Sequence, residues 1–283
     1  MEIRKVTVAG AGIMGSGISQ VFAMKGFDVV MVDIKEEFLE KGMRTIKKSL
    51  GKFVEKGKLD QVAADEALGR IRTSVALKEG HWADLAIEAV TEDKSIKREV
   101  FKALDTCLKP DALLASNTTS ISITELAASS GRAPRFIGMH FMSPVPQMQL
   151  VEVINGAATS KETTDRIVSL CEKLDKTPVV VEDYPGFVSS RLIITMINEA
   201  IYTLMEGVAT KEGIDMVMKL GMNHPMGPLS LADYVGLDVV LAAMETLYKG
   251  FGDSKYRPCP LLVKMVKAGF LGKKSGRGFY EYT

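Results

Sequence analysis

The stretch that most restricts how this chain folds is its beginning, where residues 3–33 read IRKVTVAGAGIMGSGISQVFAMKGFDVVMVD. Apolar residues at Val6, Val8 and Ala9 mark a strand that runs straight into Gly10-Ala11-Gly12-Ile13-Met14-Gly15. A helical pattern follows, then a second apolar run from Val29 to Val32 that ends on Asp33. A G-x-G-x-x-G string alone is weak, because glycine is common. Set between a strand and a helix, with an acid about 20 residues further on, it is the fingerprint of a dinucleotide-binding βαβ unit. Gly10 lets the chain turn sharply, Gly12 leaves room for a pyrophosphate against the backbone, and Gly15 lets the helix approach the strand. The helix N-terminus then offers unpaired N–H groups and the positive end of its dipole to the phosphates. Asp33 is suited to accept hydrogen bonds from the adenosine ribose and to repel a 2′-phosphate, which favours NAD(H) over NADP(H). An ordinary βαβ unit with a glycine-rich turn is the competing reading, and the surrounding pattern weighs against it.

Composition limits the alternatives. The chain has 283 residues, enough for two domains, and 46% hydrophobic with 25% charged residues is the profile of a soluble globular protein. A formal net charge of +1 supplies no general attraction to nucleic acid or to a membrane surface. Cys107, Cys171 and Cys259 are far apart, with neither metal-type spacing nor the look of a disulfide framework, so a reducing, cytoplasmic compartment is expected. No apolar run reaches the roughly 18 residues of a membrane-spanning helix. The first strand begins so close to Met1 that no signal or transit peptide is expected.

After Asp33 the pattern turns helical, with two helices over 36–57 and 60–69 joined at Gly57. Strands are expected at Leu85–Ile87, Ala112–Ser116, Phe136–Phe141, Leu150–Ile154 and Val179–Val181, with helices over 94–108 and 160–174. Ser122 and Glu125 have the spacing of a capping box for a short helix. Strands alternating with helices imply a mostly parallel sheet covered on both faces. Tyr184-Pro185-Gly186 breaks this pattern, and the remainder shows helical periodicity alone, over 190–205, 211–220, 229–248 and 261–268. The fold class is therefore α/β: an N-terminal Rossmann-type, mostly parallel sheet with a helical hairpin insertion over residues 1–183, followed by an all-α C-terminal domain over 184–283. Half of the sixteen methionines fall in that second part, among them Met196, Met216, Met218 and Met244. Core filling is their usual role, and a helix–helix dimer interface is the alternative.

A second feature carries chemistry. His140 closes the expected strand in Met139-His140-Phe141-Met142-Ser143-Pro144-Val145-Pro146, and Glu152 follows twelve residues on. In open α/β sheets ligands bind at the C-terminal ends of the strands. A dehydrogenase needs a base for the alcohol proton, and imidazole titrates near neutrality. A carboxylate on the other ring nitrogen fixes the tautomer and steadies the imidazolium, and Glu152 on the next strand is the candidate. A core histidine bonded to backbone is the plainer reading, and position at the sheet edge favours function. His81 and His224 read as structural, and the three dispersed histidines make no metal site. Residues 41–58 hold seven Lys or Arg against one Glu, with Lys41, Arg44, Lys48 and Lys52 spaced to share one helical face. That face is either simply solvated or a landing site for a second polyphosphate-bearing molecule, and the residues alone leave both open.

Taken in order, the Gly10–Gly15 loop, Glu88 and Glu92, Ser116-Asn117-Thr118, His140 with Pro144-Val145-Pro146, Pro185-Gly186-Phe187-Val188 and Gly276-Arg277-Gly278-Phe279-Tyr280 resemble the short-chain 3-hydroxyacyl-CoA dehydrogenase family over essentially the whole chain. The resemblance implies NAD-dependent interconversion of (S)-3-hydroxyacyl-CoA and 3-oxoacyl-CoA, with short chains such as 3-hydroxybutyryl-CoA and acetoacetyl-CoA favoured. It implies a homodimer formed through the C-terminal helices. It makes His140 the general acid/base and Glu152 its orienting partner. Gly10, Ala11, Gly12, Ile13, Met14, Gly15, Asp33, Glu92, Lys97, Thr119, Ser143 and Lys274 become cofactor contacts, and Ser49, Lys56 and Thr119 contacts to CoA, which turns the basic helix toward function. Thr119 and Ser190 are implied to position the reacting oxygen or the thioester. Three positions depart from the family pattern: Thr119 replaces Ser, Ser143 replaces an Asn common there, and Ser190 replaces Asn before Arg191. Two other readings stay open at this point, a hydroxy-acid dehydrogenase that does not use CoA and an NAD-binding protein without catalysis.

Overall fold

The computed structural model describes residues 2–282, and they form two compact units that divide between Asp183 and Tyr184. The first unit runs β1 (Lys5–Ala9), α1 (Ile13–Met24), β2 (Asp28–Val32), α2 (Glu36–Glu55), α3 (Gln61–Gly69), β3 (Ile71–Ser74), β4 (Leu85–Glu88), α4 (Lys94–Cys107), β5 (Leu113–Ser116), α5 (Ile123–Ala128), β6 (Phe136–Phe141), β7 (Leu150–Asn155), α6 (Lys161–Lys173) and β8 (Thr177–Glu182). Its eight-stranded sheet has the order β3-β2-β1-β4-β5-β6-β7-β8. All neighbours are parallel except β6 and β7, which pair antiparallel. The chain leaves β1 toward β2 on one side and returns to place β4 on the other, so a crevice opens at the C-terminal ends of β1 and β4.

The inner strands form because their residues are mostly apolar on both faces. Every residue of β4, β5 and β6 is buried, as a parallel sheet sandwiched between helices requires. Val6, Val8, Met31, Leu85, Ile87, Ile137 and Met139 make one core with Ile18 and Phe22 of α1. Each such side chain contributes roughly 1.5–3 kcal/mol on burial. The amphipathic α2 buries Leu39, Gly42, Ile46 and Leu50 and leaves its lysines outside. Asp60, Asp93, Ser122 and Ser160 cap their helices by accepting a backbone N–H three residues on.

The second unit contains α7 (Ser189–Met205), α8 (Lys211–Met216), a π-helical turn (Val217–Gly221), α9 (Pro228–Val235), α10 (Leu237–Phe251) and α11 (Pro260–Lys267). Its own core gathers Ile197, Ile201, Leu229, Leu237, Val240 and Leu262. Buried Asp215 accepts the backbone N–H groups of Leu229 and Ser230, at 2.8 and 3.0 Å, and so caps α9. Buried Asp233 accepts those of Phe279 and Tyr280, at 2.9 and 2.8 Å, and ties the chain's last turn to α9. Among the described residues no helix is long and apolar enough to cross a membrane.

Several elements differ from the sequence reading. β3 was not anticipated: only Ile71 of its four residues is buried, so an edge strand carries no alternation to read. The helix expected over 229–248 is broken at Gly236, which adopts φ +104° and separates α9 from α10 while the apolar spacing runs on through the break. The helix expected to 220 ends its α-helical part at Met216. The capping box is half made, because the Glu125 carboxylate turns to Arg98 and Lys94 at 2.6 and 2.7 Å. Met244 lies in the core as expected, but Met216 is exposed.

Candidate active site

The glycine turn sits at the crevice. Gly10 has φ +111°, and a Cβ there would lie 2.4 Å from the Ala89 carbonyl oxygen beyond β4. A Cβ on Gly15 would lie 1.9 Å from the Gly10 oxygen, so α1 closes on the turn only because that position is bare. Nothing lies within 4 Å of the corresponding point on Gly12, the residue that caps α1 without any side-chain bond. The open side of the turn therefore presents the first N–H groups of α1 to an incoming anion. Ile13 at the helix start is exposed, Ala11 is buried and Met14 half-buried. Asp33 follows β2; its Oδ2 accepts the Ala11 N–H and its Oδ1 the Ile34 N–H, each at 2.7 Å. A cavity of about 410 Å³ opens here, lined by the turn, Asp33, Ile34, Phe38, Ile96 and Val100, with Lys41 and Thr45 of α2. Flat apolar walls beside a fixed carboxylate and bare N–H groups fit the adenosine and pyrophosphate of a dinucleotide.

A buried His–Glu pair lies further along the same sheet edge. His140 is the penultimate residue of β6, which runs parallel to β1, and Glu152 is the third of β7, which runs back. Their backbones are direct partners in the antiparallel register, so their side chains share one face. Nδ1 of His140 and Oε2 of Glu152 are 2.8 Å apart, with side chains 8% and 2% exposed. Across the β5–β6 boundary, Asn117 Oδ1 accepts the Phe141 N–H at 2.9 Å, holding the turn after β5 against the strand that carries the imidazole.

Between these two centres lies an ionic network, buried at Lys97 and Glu88 and open to solvent at Glu92. The Lys97 ammonium on α4, 1% exposed, reaches Glu88 Oε1 at 2.6 Å and Glu92 Oε2 at 3.1 Å. Glu88 also accepts the Val90 N–H and the Ser116 hydroxyl, both at 2.7 Å. Glu92 Oε1 accepts the Thr118 hydroxyl at 2.5 Å and the Thr119 and Ser120 N–H groups at 2.9 and 3.1 Å. Burial alone raises the Glu92 carboxyl, but the Lys97 charge and the Thr118 and Thr119 donors outweigh it and hold it below the usual carboxylate range. For Glu88 burial wins, and its pKa is pushed up against the same ammonium.

The structure thus brings Gly10–Gly15, Asp33, Glu92, Lys97, Thr119, His140, Ser143 and Glu152 to the C-terminal edge of one sheet. Thr119 and Ser143 are exposed there, whereas Lys97 lies beneath Glu92 rather than at the surface. Ser49 is half-buried one turn beyond Thr45 on α2, Lys56 is exposed at that helix's C-cap, and neither lines the cavity. Ser190, buried on α7, and Lys274, whose ammonium meets Asp238 Oδ2 at 2.6 Å, belong to the second unit. No role follows for Glu88 from the sequence alone. Its signal was a single acid closing the apolar run Leu85-Ala86-Ile87, a place where a carboxylate must find partners.

With this geometry in hand, comparison with known proteins is specific. Residues 5–184 match the family model of the 3-hydroxyacyl-CoA dehydrogenase NAD binding domain, and residues 186–282 that of the 3-hydroxyacyl-CoA dehydrogenase C-terminal domain. A "Probable 3-hydroxybutyryl-CoA dehydrogenase" of Bacillus subtilis is 57% identical over 282 residues, covering 100% of this chain and 98% of that protein. The human mitochondrial hydroxyacyl-coenzyme A dehydrogenase is 41% identical, covering 99% and 91% of the two chains. The crystal structure of (S)-3-hydroxybutyryl-CoA dehydrogenase from Ralstonia eutropha superposes with a TM-score of 0.98 at 48% identity and covers 100% of both chains. The chain belongs to the 3-hydroxyacyl-CoA dehydrogenase family.

Proposed function

We propose that this chain, as a member of that family, is an NAD-dependent dehydrogenase that interconverts (S)-3-hydroxybutyryl-CoA and acetoacetyl-CoA, with His140 as its general acid/base. The observation that carries the reading is the buried 2.8 Å contact between His140 Nδ1 and Glu152, placed at the sheet edge that also holds the glycine turn. Gly10–Gly15 and Asp33 would hold the nicotinamide dinucleotide, which when bound would supply the hydride acceptor or donor for C3 of the acyl chain. In the oxidative direction His140 Nε2 takes the 3-hydroxyl proton; in the reductive direction it returns a proton to the same oxygen. Glu152 binds the Nδ1 proton, which commits Nε2 to the substrate, and its charge steadies the imidazolium. Thr119 and Ser190 position the reacting oxygen or the thioester carbonyl.

Asp33 binds the adenosine ribose, while Glu92, Ser143 and Lys274 serve the rest of the cofactor and Lys97 supports Glu92 from below. Ser49 and Lys56 meet CoA, whose phosphates are drawn by the exposed charges of α2. The second unit joins two copies through its helices, whose exposed apolar side chains include Val217 and Leu220. A cytoplasmic setting belongs to the same proposal.

A steady-state assay decides the reading: NADH oxidation with acetoacetyl-CoA, with free acetoacetate and NADPH in parallel. Turnover with acetoacetyl-CoA and NADH, at least about 100-fold above free acetoacetate, is expected from the lost phosphate and pantetheine contacts. Equal rates with acetoacetate would turn the reading to a CoA-independent hydroxy-acid dehydrogenase. His140→Ala should lower kcat by about 10³-fold, within the range of general acid–base catalysis, with NADH binding nearly intact. Near-wild-type turnover in that variant would remove His140 from the mechanism.

A further inference from the structure

One buried ion has no part in the chemistry above. Lys176 is 8% exposed, and its ammonium donates to the Val145 carbonyl at 2.7 Å and the Met148 carbonyl at 2.6 Å. It makes no ion pair among the described residues, and its pKa is lowered by burial, with Asp175 opposing. An ammonium held away from water without a carboxylate is disfavoured, and a Met at that position would pack without the penalty. The cost is specific to this place, so the place needs the ion.

Lys176 stands at the mouth of the proton-transfer hairpin. The helix α6 ends with Asp175 at φ +53°, the Asp175 N–H bonded to Glu172 and the Lys176 N–H to Cys171, at 3.0 and 2.9 Å. That is a Schellman turn with Asp where glycine is usual, and the Asp175 carboxylate is fastened to Lys25 at the end of α1. The next residue enters β8, with the Thr177 N–H on the Gln149 carbonyl at 2.8 Å. The side chain of Lys176 is thereby delivered to the 142–149 connection, the segment that joins the strand of His140 to the strand of Glu152 and carries Ser143. The same segment leans on the phosphate-binding helix: Val145 is buried, and a Cβ on Gly17 of α1 would lie 2.9 Å from it. Two carbonyls of one loop directed at one point cannot satisfy each other, and a compact three-proton donor is what gathers them.

We propose that Lys176 is a positioning residue: its ammonium clamps the β6–β7 connection, and that clamp sets how His140, Glu152 and Ser143 are held at the cofactor edge. The kinetic consequence rests on the proposed function, whereas the structural consequence does not.

The test uses Lys176→Met and Lys176→Gln, read by amide hydrogen exchange and by steady-state kinetics with acetoacetyl-CoA and NADH. In Lys176→Met, exchange over 142–149 should quicken by about tenfold while β1, β2 and α1 keep their protection, since the loop alone is released. Its kcat should fall about tenfold with the acetoacetyl-CoA KM within about threefold, because misplacement of reacting groups costs rate more than grip. Lys176→Gln, which keeps an amide donor, should lose about threefold in kcat with the same localised exchange. Faster exchange spread over the whole unit with unchanged kcat per folded enzyme would assign Lys176 to packing and overturn the proposal. Should Lys176→Met fail to fold, Lys176→Gln decides, and wild-type kcat with unchanged exchange there overturns it equally. A wild-type protein inactive on acetoacetyl-CoA would sink the functional reading alone; exchange over 142–149 would still judge the clamp, and no change there would end it.

Discussion

At the scale of single residues, the site is an arrangement of charges held by backbone. Asp33 has one carboxylate oxygen bound to the Ala11 N–H and the other to the Ile34 N–H, so its position relative to the glycine turn is fixed before any ligand arrives. Asp33→Ala should raise the KM for NADH by about tenfold or more and narrow the preference over NADPH, measured with both cofactors in one assay. In the proposed mechanism, Glu152→Gln keeps an acceptor for the His140 Nδ1 proton but removes the charge that would steady the imidazolium. Its kcat should fall by about 10²-fold with NADH affinity unchanged by fluorescence titration, and a wild-type rate would show that orientation alone suffices. The residues of the turn could be named from sequence because their spacing is local and each has one steric duty. Lys97 could be named but not placed, because its sequence does not say that it lies under Glu92.

At the scale of elements, polar staples decide where strands and helices begin. Asp84, just before β4, accepts the N–H groups of Arg4 and Lys5, both at 3.0 Å, and the Lys109 ammonium at 2.8 Å. Burial favours its neutral form, but the Lys109 bond and the two N–H donors outweigh that and hold its carboxyl below the usual range. A depressed folded-state pKa contributes stability above the unfolded value, about 3.9, that is lost as the pH falls through the folded one. Urea midpoints should therefore drop as the pH falls below about 4, and Asp84→Asn should flatten that acid limb while lowering the midpoint at neutral pH. In the second unit, Gly236 turns the chain between α9 and α10 at φ +104°, and a Cβ there would sit 3.0 Å from the Lys274 ammonium and from Asp238. Gly236→Ala should cost about 1–3 kcal/mol, checked by urea unfolding; a neutral effect would mean the break does not depend on that conformation. Periodicity alone could not find this break, because the helices on either side continue one apolar stripe. Nor could it find β3, whose single buried residue leaves no pattern.

At the scale of the molecule, each unit carries its own apolar core, and the helical unit also leaves apolar side chains such as Leu220 outside. Sedimentation at micromolar concentration should report twice the 30.8 kDa of the chain, and a monomer there would remove the proposed homodimer. What the sequence determined by itself was whatever consecutive residues encode. The strand, the glycine turn, the helix and the acid after the second strand are one short stretch, and their spacing names the cofactor because steric demands there act between neighbours. The helical grammar after Pro185 is likewise local, a matter of 3.6-residue periodicity. Only the tertiary structure decided that His140 and Glu152 meet, since their contact depends on an antiparallel register in an otherwise parallel sheet. It alone joined Glu88, Lys97, Ser116 and Thr119 into one network and brought Lys176 to the Val145 carbonyl 31 residues away. The reason is physical: a buried polar group must find its partner wherever the fold provides one, and sequence distance sets no limit on where that is.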